Sequence, residues 1–168
     1  MVTDAFAAQN HLRSIDDLRQ VASTLTLGGP VQFQQGTPGL PALNDVYGVS
    51  PAFFRATSVG GQYSALNTSS VQAADVNTTD GQLASGDYVL LRDPHGVFGW
   101  GNVVPVVSSR ALAAEGPFFA PTIDRVDNAL TTSAMQELNQ AVDIAQEDPA
   151  VVARQFLETH GLLTPTTF

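Results

Sequence analysis

Cysteine and lysine are both absent from this 168-residue chain. Without thiols there is no disulfide, no thiolate nucleophile and no Cys-ligated zinc, and cysteine usage therefore decides nothing about redox compartment. Without lysine there is no Schiff-base chemistry and no phosphate-holding P-loop lysine, since every basic residue is an arginine. Charge is scarce and one-sided. Only 14% of residues are charged, and a net charge of −9 with a pI of about 4.4 opposes contact with phosphate backbones, which excludes nucleic acid as a partner. No apolar run approaches the roughly 18 residues of a membrane span. The opening "MVTDAFAAQNHLRS" carries acid where a secretory signal carries basic charge, so no signal peptide is expected in this chain. What is present is 43% hydrophobic residues over the length of one ordinary domain, the composition of a globular protein with a core.

Patterning along the chain predicts an alternation of strands and helices. In "SIDDLRQVASTL", Ser14 stands three residues before Asp17, a capping-box spacing, and Leu18, Val21, Ala22 and Leu25 follow on one helical face. "TLTLGG" reads as a strand, and a helix is expected from about Pro38 to a stop at Gly48. "AFFRATS" (strand), "GGQYSALNTSS" (helix opened by glycines) and "VQAADV" (strand) continue the alternation, which argues for an α/β class with a mostly parallel sheet flanked by helices. After a single helical turn from Gly81 to Gly86, "DYVLLRD" and "VVPVVSS" are two β-rich runs. The remainder turns helical in "PTIDRVDNAL", "SAMQELNQAVDI" and "DPAVVARQFLETHG", the last with Asp148 as N-cap, Pro149 at N1 and Gly161 past the end.

Few residues carry a catalytic signature. His11, His95 and His160 are scattered without a second ligand at metal-motif spacing, so each reads as a surface or turn histidine and no metal or cofactor is expected. "GVSPA" is a partial nucleophile elbow without its second glycine, and Ser50 reads as an ordinary turn residue. The Gly28-Gly29 and Gly60-Gly61 pairs lack the order of a dinucleotide fingerprint. A hydrolase using Asp80 or His95 would need a nucleophile and a base brought together, and no motif does so. The chain is expected not to be an enzyme.

"SIDDL", "LTLGG", "PGL" with "YG", "QYSAL", "TTDGQL", "DYVLLRD", "NVVPVV", "LN" at Leu138 and Asn139, and "DPAVVARQFLETHGLL" occur in an order that resembles the second part of the solute-binding proteins serving ABC importers of glycine betaine, choline and related osmoprotectants. The resemblance implies a type II periplasmic-binding-protein-like lobe over residues 1–104. Residues 105–168 would be a C-terminal return strand and helices that pack on a first lobe with no counterpart here, leaving the two-lobe fold incomplete. Val126, Leu130, Met135, Leu138, Val142, Val152, Phe156 and Leu157 would then lack part of their covering, and the chain should meet a separately supplied lobe or associate with itself. The implied function is non-catalytic binding of a small-molecule solute and its delivery to an ABC permease in the membrane, with an extracytoplasmic location for the full-length form. The alternatives are a cytosolic metabolite-sensing effector domain of the same fold and a degenerate fragment without binding activity.

Quaternary ammonium ligands donate no hydrogen bond and are held by aromatic faces. The family typically places an aromatic residue three before the Asp of its "TDG" motif, another just before the Asn of "NVVP", and a basic residue in the loop before "GL". Here those positions hold Asn77, Gly101 and Gly36. Trp100 stands one residue away from the second, and a shift of one along an extended segment turns a side chain to the opposite face. Thr78, Thr79, Asp80 and Gly81 read either as a strand end that caps the next helical turn, or with Asn77 and Thr78 facing a ligand more polar than betaine and Trp100 as an apolar wall.

Overall fold

A computed structural model describes residues 1–163, so the last five residues of the expected 105–168 segment lie outside the described ones. The chain divides into two compact units: unit 1 comprises Met1–Thr78 and Ser85–Trp100, and unit 2 comprises Thr79–Ala84 and Gly101–Phe168. The backbone therefore passes from one unit to the other three times.

Unit 1 is built on one five-stranded sheet. Its strands are β1 (Val2–Thr3), β2 (Thr26–Gly29), β3 (Phe53–Ala56), β4 (Ala73–Ala74) and β5 (Tyr88–Val89), in the order β3-β2-β4-β1-β5. β2 pairs in parallel with β3 and β4, as the alternating pattern predicts, and β1 runs antiparallel to both β4 and β5, so the sheet is mixed, with four of its five strands running the same way and β1 reversed. The reversal comes from "MVT", whose two strand residues carry too little pattern to read. Because successive strand side chains face opposite ways, Leu27 and Ala73 join one buried cluster with Val2, Leu18, Leu25, Phe33, Leu43 and Tyr47, while neighbouring Ala74 joins Leu66 and Val71 on the other face.

The helices of unit 1 follow their capping chemistry. α1 (Asp4–Asn10) starts at Thr3, whose hydroxyl accepts from Phe6 N–H at 3.2 Å, and stops at His11 in the left-handed region. The Ser14/Asp17 capping box forms, with Asp17 Oδ2 accepting from Ser14 N–H at 2.8 Å. It opens a 3-10 helix, Ile15–Gln20, and a second short one, Ala22–Thr24, rather than the single α-helix expected to Leu25. The apolar spacing explains the difference. Ile15 and Leu18 are three apart and both buried, and i and i+3 eclipse at three residues per turn. α2 (Leu40–Tyr47) buries Leu43 and Tyr47, four apart on one face, and ends at Gly48 in the left-handed region. α3 (Gly61–Asn67) buries Tyr63 and Leu66.

Unit 2 is helical. The 3-10 turn Gly81–Ser85 is followed by α4 (Ser109–Glu115), α5 (Phe119–Ala129), α6 (Thr132–Asn139), a π-helical turn (Gln140–Ile144) and α7 (Pro149–Thr159). The expected α7 cap is present, since Asp148 Oδ1 accepts from Ala150 N–H at 2.7 Å and Gly161 adopts a positive φ. The strand expected in "VVPVVSS" does not form. Residues 101–108 have no regular structure, and Val103, Val104 and Val106 are exposed. β-branched residues favour strands by fitting a half-buried pleated surface; here that surface is missing, and Pro105 brings no N–H. Gly81 lies so close to the π-helical turn that a Cβ there would sit 2.5 Å from Gln140 N, while Asn139 Nδ2 donates to Thr79 O at 2.8 Å.

Candidate functional site

Unit 1 contains a cavity of about 230 Å³ at the carboxyl ends of β2, β4 and β5. In open α/β sheets this is the end where ligands bind. Its inner wall is apolar, with Leu18, Leu27, Leu43 and Phe33, and its more polar members are Asp75, Thr78 and Asp93. Phe33 is the middle of three stacked rings, 6.3 Å from Phe54 and 6.1 Å from Phe98 with planes within 11° and 5° of parallel.

The loop that carries Phe98 is held by one carboxylate. Asp93 Oδ1 accepts from Val97 N–H at 3.1 Å and from the Tyr47 hydroxyl, and Asp93 Oδ2 accepts from Phe98 N–H at 2.8 Å. Tyr47 Oη in turn accepts from His95 N–H at 2.9 Å. Burial pushes the Asp93 carboxyl up, but hydrogen bonds from Tyr47 and from the Phe98, Val97 and Gly96 amides outweigh it and hold the group below its ordinary value. Burial first, and then donation to Asp93, pushes the Tyr47 phenol up to about 12. The His95 ring lies against Tyr47 at 5.0 Å, with its Nε2 3.7 Å from Asp16 Oδ1, and Arg19 pairs with Asp16 at 2.6 Å while donating to the Tyr47 carbonyl. Asp93, Tyr47 and the phenylalanine stack were not singled out from the sequence. The signal for Asp93 was there in Asp-Pro-x-Gly, an Asx-turn composition.

The residues singled out from the sequence are only partly brought together. Thr78 lines the cavity, and so does Gly99, the neighbour of Trp100. Trp100 itself is 95% exposed, Asn77 is exposed just after β4, and neither lines the cavity. Gly101 begins the second stretch of unit 2. Gly36 lies after the Val31–Gln34 turn, where an added Cβ would stand 2.6 Å from Gln32 O. A basic side chain cannot occupy that backbone without moving it, which gives a steric reason for the glycine. Among the histidines, His11 ends α1 and the His160 ring lies 2.8 Å from Phe156 O at the end of α7. Ser50 Oγ donates to Asn44 Oδ1 at 2.5 Å. Among the described residues no cluster of three or more His, Asp or Glu could hold a metal ion, and no helix is long and apolar enough to cross a membrane.

Unit 2 has a larger, open cavity of about 590 Å³ flanked by α6, α7 and the end of α5, with Ser133, Glu137, Val152, Gln155 and Phe156 on its wall.

A mixed sheet flanked by helices is the architecture of type II periplasmic binding proteins. Residues 1–159 match the OpuAC family, described as the substrate binding domain of ABC-type glycine betaine transport systems, and the chain belongs to that family. It is 32% identical over 166 residues to a glycine-betaine-binding protein of Pseudomonas aeruginosa, covering 90% of this chain and 52% of that relative. It is 26% identical over 167 residues to the carnitine transport binding protein OpuCC of Listeria monocytogenes, covering 96% and 52%. A crystal structure of a glycine betaine/carnitine/choline ABC transporter superposes with a TM-score of 0.82 at 30% identity, over 96% of this chain and 59% of that one. The chain thus spans about half the length of the curated relatives it matches.

Proposed function

We propose that this chain is the second lobe and return segment of a non-catalytic solute-binding protein that captures a small polar solute outside the cytoplasm and delivers it to an ABC permease. The observation that carries the reading is the family match over residues 1–159. The solute belongs to the osmoprotectant class or a more polar neighbour of it, since Asn77, Gly101 and Gly36 stand where a methylated ammonium carboxylate needs rings and a positive charge. Residues 105–168 form the part that packs on a first lobe, supplied by a longer form of the polypeptide or by another chain. Supporting this is the state of unit 2, in which Val126, Leu130, Met135, Leu138, Val142, Phe156 and Leu157 are only half-buried and Val152 alone is buried among the residues expected to lack cover.

Calorimetric titration with glycine betaine, choline, carnitine and more polar zwitterions tests the ligand assignment. Betaine and choline should bind more weakly than about 1 mM, and a micromolar constant for either would show that a different cage exists. Solute conversion abolished by Asp80→Ala would overturn the non-catalytic reading. Size-exclusion chromatography and an apolar dye test the missing cover: the purified chain should elute larger than a monomer or bind the dye, and a dye-silent monomer would contradict the proposal.

A further inference from the structure

Resting on the reading of unit 1 as a solute-binding lobe, we propose that its cavity seats a cationic group with N–H donors, a primary ammonium or a guanidinium, in preference to a methylated ammonium or a carboxylate. The wall decides the sign of the charge. Asp75 and Asp93 both line the cavity, and no arginine or histidine does. Burial opposes the charge of Asp93, but hydrogen bonds from Tyr47 and from the Phe98, Val97 and Gly96 amides hold it below its ordinary value, so it is ionised at neutral pH. The Met1 amino group is the one basic group on the wall, and burial, only partly offset by Asp75, pushes it down to about 6, which leaves it mostly neutral above pH 7. A carboxylate entering here meets two like charges, whereas a cation is attracted by both. The wall also decides the hydrogen bonding. Both Asp93 oxygens already accept from Tyr47 and the loop amides, so this residue contributes mainly its field. Asp75 is acceptor-only, with about four lone-pair sites on its two oxygens, and Thr78 adds a hydroxyl. A primary ammonium donates to these oxygens and lays its alkyl stem against Leu27, Phe33 and Leu43. A fully methylated ammonium has no N–H, and strips water from the same oxygens without replacing it.

Butylammonium is the probe, titrated into the whole chain above pH 7 with ¹³C-methyl spectra as readout, beside tetramethylammonium, butyrate and glycine betaine. Saturable shifts are expected with butylammonium at the Leu27, Leu43 and Ala73 methyls, which line the cavity, and not at Leu112 in α4. Its affinity should exceed that of tetramethylammonium by about tenfold or more, and butyrate should give no shift. Asp75→Asn keeps the size of the side chain and removes its charge, and should weaken butylammonium by about tenfold. Added salt should weaken it in the unaltered chain, because exposed charge is screened over about 10 Å at 0.1 M; this response keeps the test decisive should Asp75→Asn fail to fold. Tetramethylammonium or butyrate binding as tightly as butylammonium overturns the assignment, as does butylammonium binding that is indifferent to salt or unchanged in a folded Asp75→Asn. Glycine betaine bound with butylammonium silent overturns the cation assignment and leaves the transport reading standing. Silence from all four probes removes the solute site itself, and with it the reading on which the assignment rests.

Discussion

The two units solve the same burial problem to different degrees. Every buried apolar side chain among the described residues, apart from Val152, belongs to unit 1, where the sheet is covered on both faces. The helices of unit 2 leave Phe118, Ile144 and Val151 exposed, along with Val104 and Val106 in the segment before α4. An α-helix is completed by its own backbone hydrogen bonds and needs only caps to start and stop, whereas burying its apolar stripe needs a neighbour. Unit 2 has the first in good order, at Ser108, Thr131 and Asp148. It has little of the second. Secondary structure is therefore no measure of a finished core.

The largest test of this contrast compares equal truncations. Leu25→Ala, at a nearly sealed position, should cost about 2–5 kcal/mol, whereas Leu138→Ala, half-buried on α6, should cost about 1 kcal/mol. Thermal unfolding followed by circular dichroism measures both, and equal losses would mean unit 2 has a core as closed as that of unit 1. The next effect is expected where unit 2 is tight. Gly81→Ala places a methyl 2.5 Å from Gln140 N and should cost about 1–3 kcal/mol by overpacking; hydrogen exchange in Gln140–Ile144 should rise with it, and unchanged exchange there would show that the approach gives way freely.

Unit 1 also carries the pH dependence. The Asp93 pKa is depressed, so its contribution is present above the ordinary carboxylate value and is lost as pH falls through the depressed one. The Tyr47 pKa is raised, so its contribution is complete below its ordinary value of 10 and is lost as pH climbs toward 12. Asp93→Asn should remove about 1–3 kcal/mol at neutral pH, flatten the acid limb of a stability-versus-pH curve and reduce the alkaline one, whose larger cause is the burial of Tyr47; limbs identical to those of the unaltered chain would place the pH dependence elsewhere. The smallest effect belongs to a surface cap. Asp148→Ala should cost about 1 kcal/mol, visible as fraying of the first turn of α7 in amide exchange, with the exchange of β2 unchanged.

What was legible in the sequence is what local chemistry decides. Ser14 with Asp17, Gly48, Asp148 with Pro149, and Gly161 each mark a helix end, because a cap is a contact between residues a few positions apart. The β2, β3 and β4 segments were legible from β-branched and aromatic runs, though β4 shrank to Ala73–Ala74. The antiparallel insertion of β1 was not, since two residues carry no period and their partners lie 71 to 87 positions away. The cavity was hidden for the same reason: its walls come from positions 1 to 99. "VVPVVSS" misled because strand propensity describes the residue's preference and says nothing about whether a partner edge is present. Gly36 was legible as a glycine, but the steric crowding around it required coordinates.

The three passages of the backbone between units carry a consequence for synthesis. Thr79–Ala84 leaves the ribosome some 60 residues before Asn139, the side chain that bonds its first carbonyl. At about 5–20 residues per second that interval is about 3–12 s, during which the Thr79 carbonyl is without its Asn139 donor. Nascent chains stalled before residue 139 should therefore show proteolytic cleavage within 79–84 that disappears once the π-helical turn has emerged.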